Sequence, residues 1–220
     1  MPPLMFNPTI LYAEVIFSVI LVTLCLIIYY KTKETFELTQ HRGVGYFRKT
    51  FLFFAFAYAF RLITRIIFIT GLNFDWFIHP RNFMGVFTLV FVGYFSTMAI
   101  FYLFLSSTWK KLKWKNTIYF HLIAFLIAFI SFFMREPFIL ISCQATLLAI
   151  VGVISYKLSK KPEKFSKLFV VYVLLILFWI FGLIPLTSRW IFPREMNFIV
   201  QIISLVIFAI IFYKVIRWTK

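Results

Sequence analysis

Two arginines stand where a chain can least easily hold them. Arg61 and Arg65 lie four residues apart in the stretch FRLITRIIF (60–68), which is otherwise apolar except for Thr64. Tyr58 precedes them, and positions i, i+3 and i+7 share one face of a helix. Arginine stays charged at ordinary pH and presents a planar fork of donors that fits a carboxylate or a phosphate. Near the centre of a membrane helix it costs about 2.5–3.5 kcal/mol on insertion scales. Arg61 falls near the middle of its apolar run, roughly 15 Å from the start at 1.5 Å per residue. Both arginines should therefore face protein or a water-filled cavity. The chemistry indicated is the binding of an anionic group, unless the fold neutralises the charges itself.

One acid, Glu14, lies within an apolar run. It sits roughly 8 Å from the start of that run, a depth similar to that of Arg65 on an antiparallel neighbour. The sequence thus predicts a Glu14–Arg65 ion pair, with Arg61 left for another partner or a ligand. Ser142, Gln144 and Gln201 could add donors and acceptors, as could Tyr94, Ser96 and Thr97. The candidate ligand-binding set is Arg61, Arg65, Glu14, Tyr58, Gln144 and Gln201.

Other chemistries find little support. His41, His79 and His121 belong to different loops and depths and are not expected to share a metal. Cys25 and Cys143 are isolated in apolar runs and read as buried free thiols. The apolar runs hold no aspartate and no HExxH, which argues against intramembrane proteolysis and against an enzyme. Lys214 is too close to its helix end for a retinal-type lysine. Gly43-Val44-Gly45 alone is too weak to indicate a phosphate loop. No cofactor and no metal are expected.

The elements that must hold these residues are apolar helices. Of the 220 residues 63% are hydrophobic, where soluble domains are nearer half. Seven apolar runs are long enough to cross a bilayer: roughly 9–30, 50–70, 83–105, 117–134, 138–156, 168–186 and 197–216. This predicts an all-α integral membrane protein, one seven-helix domain over 1–220 with no separate soluble unit. Pro137, Pro185 and Pro193 fall at or near run ends, where proline is tolerated. The start of the chain shows no basic n-region or small-residue cleavage site, so the first run is expected to remain as a helix. The longest connection, 31–49, is expected to be a loop holding a short interfacial helix that ends near Gly43 and Gly45. Gly85, Gly93, Gly152 and Gly182 are expected to permit close helix contact.

Charge sets an orientation. The connections after runs 1, 3 and 5 and the C-terminal end carry 17 of the 23 lysines and arginines. The connections after runs 2, 4 and 6 carry Arg81, Arg135, Arg189 and Arg194. By the positive-inside rule the N-terminus is outside, the C-terminus is cytoplasmic, and the protein belongs in the cell membrane. The net charge of +16 is explained by this bias rather than by nucleic acid, for which no motif is present. The stretches WKKLKWK and YKLSKKPEKFSK interleave aromatics with lysines, as contact with anionic headgroups requires. Trp76, Trp109, Trp190 and Trp218 lie near run ends, as an interfacial belt would.

The chain also echoes itself. YKTKETFE after run 1 resembles YKLSKKPEKF after run 5, FRKTF pairs with FSKLF, and WFIHPRNF pairs with WIFPREMNF. Two parallel three-helix repeats, about 9–110 and 138–220, are expected, joined by a linker helix at about 117–134. In that alignment Arg61 matches Trp179 and Arg65 matches Leu183, so the basic site is confined to one half. The three-plus-one-plus-three plan is similar to that of the SWEET sugar transporters and the trimeric intracellular cation channels. That resemblance implies solute binding near the repeat interface. It carries no residue roles, because the Pro-Gln pair of SWEET-like helices is missing from both halves.

Three functions remain open from the sequence. The first is a small-solute transporter or channel with an outward-facing basic cavity for an anionic group. The second is a seven-helix sensor or receptor-like module for a small ligand or lipid. The third is an accessory membrane subunit without catalysis or ligand. Beyond a possible small anionic ligand, the expected partner is a bilayer with anionic cytoplasmic headgroups. The oligomeric state is left open.

Overall fold

The structure is a computed structural model and describes residues 8–73, 80–109, 117–134, 137–159, 167–187 and 194–219. These residues form seven α-helices. They are α1 (Pro8–Thr39), α2 (Arg42–Asn73), α3 (Pro80–Thr108), α4 (Ile118–Phe133), α5 (Pro137–Ser159), α6 (Lys167–Thr187) and α7 (Arg194–Thr219). Four described stretches are long and apolar enough to cross a membrane: Tyr12–Thr39, Arg42–Ile67, Thr88–Thr108 and Phe198–Trp218. The apolar stretches Ile118–Phe133, Phe138–Ile154 and Phe169–Gly182 are shorter. The expected loop contents around Asp75, Trp76, His79, Arg135, Glu136, Arg189, Trp190 and the lysine cluster 110–115 lie outside the described residues.

The connection expected at 31–49 is not a loop. Helix α1 continues to Thr39 and α2 begins at Arg42, leaving Gln40 and His41 as the turn. The segment KTKETFELT is made largely of residues that suit a helix, and Lys33 and Glu37 form an i,i+4 pair at 3.6 Å. The helix stops where Gln40 adopts a left-handed φ of 48° while its N–H still donates to the Phe36 carbonyl at 2.8 Å. Gly43 and Gly45 do not end a helix. They sit in the first turn of α2, where a Cβ on Gly43 would lie 2.9 Å from Trp109 Cδ1 and one on Gly45 2.8 Å from Phe36 Cε2. These glycines, which resemble breakers in sequence, let the two helices and the end of α3 close up. At 32 residues each, α1 and α2 are about 48 Å long. That exceeds a hydrocarbon core of about 30 Å.

Arg48 braces this hairpin. Its Nε donates to the Tyr29 carbonyl at 3.3 Å, and its guanidinium lies 4.7 Å from the Tyr29 ring centre and 5.4 Å from that of Phe36. Ser106 of α3 donates to the Gly43 carbonyl at 3.0 Å and shares a 2.8 Å hydrogen bond with Tyr172 of α6. Three helices are thereby tied together at the hairpin end of the bundle.

Six helices close a ring in the order α1, α2, α3, α5, α6, α7, with α7 returning to α1. Helix α4 packs outside, across α3 and α5. It turns Phe120, Ala124, Ala128 and Ser131 inward and leaves Leu122, Phe125, Leu126, Phe129 and Phe133 exposed. Small residues draw these helices close, since a Cβ on Gly93 would stand 3.1 Å from Leu140 and 3.6 Å from Ala128. The corresponding distances at Gly152 and Gly182, 3.6 and 3.8 Å, are ordinary van der Waals contact.

Aromatic rings occupy the middle of the ring of helices. Phe54 meets Trp179 at 4.4 Å, Phe178 meets Phe208 at 5.0 Å, and Phe51 meets Phe208 at 6.3 Å. Aromatic pairs of this kind contribute about 0.5–1.5 kcal/mol beyond their burial. Several other buried or half-buried hydroxyls are satisfied along their own helices, as an apolar setting demands. Ser18 donates to the Glu14 carbonyl, Thr32 to Ile28, Thr50 to Tyr46 and Ser131 to Ile127.

Candidate functional site

Helices α1 and α2 are antiparallel neighbours, so residues of equal depth pair between them. Tyr29 meets Arg48 at one end, and Phe17 meets Tyr58 at 6.1 Å further along. Two turns beyond Tyr58, Arg65 Nη2 lies 2.7 Å from Glu14 Oε2. This is the ion pair that the depth count predicts. The two side chains are 35% and 16% exposed. The distance alone suggests a charge-assisted hydrogen bond, yet Glu14 Oε2 makes none among the described residues. Proximity without an aimed N–H makes this contact an electrostatic one rather than an Arg–carboxylate fork.

Arg61 lies one turn nearer the hairpin end. It is half-buried, and among the described residues its guanidinium has no ion pair and no hydrogen bond. Its carbonyl accepts from Thr64 at 2.8 Å. Tyr58, on the same face, is within reach of its charge. The Tyr58 ring packs on Phe17 and, at 6.2 Å, on Phe178 of α6. Its hydroxyl points toward Gly182, where a Cβ would be 3.8 Å away. Glu14, Tyr58, Arg61 and Arg65 therefore form one patch along the α1–α2 seam, beside α6.

Gln144 belongs to a different constellation. It is 2% exposed. Its Nε2 donates to Ser96 Oγ at 2.6 Å and to Thr97 Oγ1 at 3.2 Å, and its Oε1 accepts from Trp179 Nε1 at 3.4 Å. Ser96 and Thr97 pass their own protons to the Gly93 carbonyl at 3.0 and 2.8 Å. The node joins α3, α5 and α6. Among the described residues no hydrogen bond links it to Arg61, Arg65 or Glu14. Gln201 is buried on α7, two turns from Phe208, and also makes no hydrogen bond to the arginine patch among the described residues. Ser142 is exposed and does not join either group.

Tyr94 does not join the arginine patch through a hydrogen bond either. Its hydroxyl is 2.7 Å from His121 Nδ1, and Tyr102 OH is 3.1 Å from His121 Nε2. Lys49 Nζ lies 5.5 Å from the Tyr102 ring centre. In the sequence His121 stands as a lone residue. The available signal is that Tyr94 and Tyr102 are eight apart and so share a face of α3, turned toward α4.

No family model and no solved structure match the chain. An uncharacterized protein of Archaeoglobus fulgidus is 30% identical over 228 aligned positions, which cover 99% of each chain. The aligned length therefore spans all seven helices.

Proposed function

The chain belongs to the same family as that archaeal protein, and we propose that it is a multi-pass membrane protein that carries a small anionic solute past Arg61. All seven helices cross the bilayer in this reading, with the N-terminus outside and the C-terminus in the cytoplasm. The lysine and arginine bias supports that orientation. The closed ring supports the two-repeat plan. Exchanging helices 1, 2, 3 with 5, 6, 7 turns the α3–α5 contact into the α7–α1 contact, and both are present.

One observation carries the reading. Of two arginines on one helix face, Arg65 is beside a carboxylate, while Arg61 has no ion partner among the described residues. A permanent cation at that depth is costly, and a ligand's carboxylate or phosphate would offset the cost. Tyr58 adds a hydroxyl on the same face, and Glu14 keeps Arg65 from competing for the same anion. Purified protein in liposomes should pass small anions, and Arg61→Gln should lower that flux by about tenfold or more, the effect of losing about 1.4 kcal/mol of binding. Unchanged flux would remove Arg61 from the mechanism.

A second reading is supported by the aromatic centre. Phe51, Phe54, Phe178 and Phe208 are almost fully buried and fill the bundle between the arginine patch and the hairpin end. A sensor that binds an anion at the patch without passing it would have such a closed half. Binding of the anion without flux favours this alternative.

A further inference from the structure

The last turns of α7 carry a second basic site, separate from the arginine patch. Ile210, Tyr213, Lys214, Arg217 and Trp218 line a groove of about 480 Å³. Their spacing, i, i+3, i+4, i+7 and i+8, puts all five on one face. The adjoining face is anchored, because Ile211 and Val215 are buried in the core, and Trp218, at the border of the two faces, packs against that core. Lys214 is half-buried and Arg217 exposed, and neither forms an ion pair among the described residues. The negative end of the helix dipole opposes an anion here, but it amounts to about half a charge, against two full cations.

We infer that this groove seats the phosphate of an anionic phospholipid, with Lys214 and Arg217 on the headgroup. The apolar part of the lining points to a lipid rather than to free phosphate. Ile203, Val206 and Ile210 are exposed in a stripe along α7 that leads into the groove, and an acyl chain would lie on it. Tyr213 and Trp218 present apolar bodies and polar tips at the headgroup level, as interfacial aromatics do. Arg217 supplies a donor fork and Lys214 a point charge. The inference needs only that α7 crosses the bilayer and is independent of any ligand at Arg61.

Trp218 gives the test. The full chain is placed in phosphatidylcholine liposomes containing a minor fraction of phosphatidylglycerol or phosphatidylcholine with brominated acyl chains. The Trp218 signal is the difference between the native protein and Trp218→Phe. Each cation is worth about fivefold in headgroup occupancy, so brominated phosphatidylglycerol should quench Trp218 with an apparent affinity tenfold or more above the neutral lipid. Lys214→Gln with Arg217→Gln should bring the two lipids level, while Lys214→Arg with Arg217→Lys should keep the preference and show that the fold tolerates change there. Equal quenching in the native protein would overturn the inference. So would a preference that survives the double glutamine variant, or one lost equally on Lys31→Gln with Lys33→Gln, which would indicate diffuse charge. Relief of the quenching by millimolar inorganic phosphate would show that the site takes free phosphate, not lipid.

Discussion

The α1–α2 seam and the α3–α5–α6 joint solve the same problem in opposite ways. Each holds polar side chains between helices that are otherwise apolar. The joint is neutral and closed: both ends of the Gln144 amide are engaged, and the two hydroxyls it meets are satisfied by Gly93. The seam is charged and partly open. It places two cations against one carboxylate, with a contact to only one of them among the described residues. In the alignment of the two halves, Trp179 takes the place of Arg61 and serves the closed joint. A satisfied network fixes packing, whereas an excess charge at depth is a feature that packing alone does not require.

The largest way to disturb this contrast is at the ion pair. Arg65→Ala leaves Glu14 without the cation beside it. Breaking a fully buried pair costs about 3–5 kcal/mol. Arg65 is 35% exposed, so solvent screening lowers the expectation to about 1–3 kcal/mol. At roughly 2–4 °C per kcal/mol for a chain of this size, the unfolding midpoint in detergent should fall by about 2–12 °C. Adding Glu14→Gln to Arg65→Ala should recover part of the loss, because the orphaned charge is then gone. A double variant no more stable than Arg65→Ala would mean that the two side chains are not coupled.

The joint should respond less. Gln144→Leu removes the amide at similar volume and leaves Trp179 Nε1 without an acceptor. Ser96 and Thr97 still reach the Gly93 carbonyl, so only one donor is orphaned, at about 1–2 kcal/mol. Thermal unfolding would show a drop of a few degrees. Anion flux should persist if the joint is structural. Loss of flux with a small loss of stability would place Gln144 in the solute path and erase the distinction between the two regions.

Depth was legible in the sequence, but azimuth was not. Counting residues from run ends places Glu14 level with Arg65, because antiparallel helices at 1.5 Å per residue convert position directly into height. The same count puts Gln144 and Tyr94 near the arginines, yet height does not say which way a side chain faces. Gln144 turns to Ser96 and Trp179, and Tyr94 turns to His121. The helical hairpin was hidden for another reason. Charges and glycines over 31–49 resemble a loop, and only the contacts of Gly43 with Trp109 and Gly45 with Phe36 show that glycine there serves close approach.

The smallest expected change in stability is the one that best separates the functions. If Arg61 is a structural member of the seam, Arg61→Gln should destabilise the protein much as Arg65→Ala does. If it is held without a partner, replacing it removes a charge that the fold must otherwise accommodate at a cost of about 2.5–3.5 kcal/mol on insertion scales. Partial exposure reduces what can be recovered, so the midpoint should stay within a degree or two or rise slightly. Sites kept for function are commonly stabilised when their strained or unpaired groups are removed, at the expense of activity. An unchanged or higher midpoint together with lost anion flux or binding would mark Arg61 as a binding residue. A fall matching that of Arg65→Ala would make the seam a second structural joint, equivalent to the neutral one across the bundle.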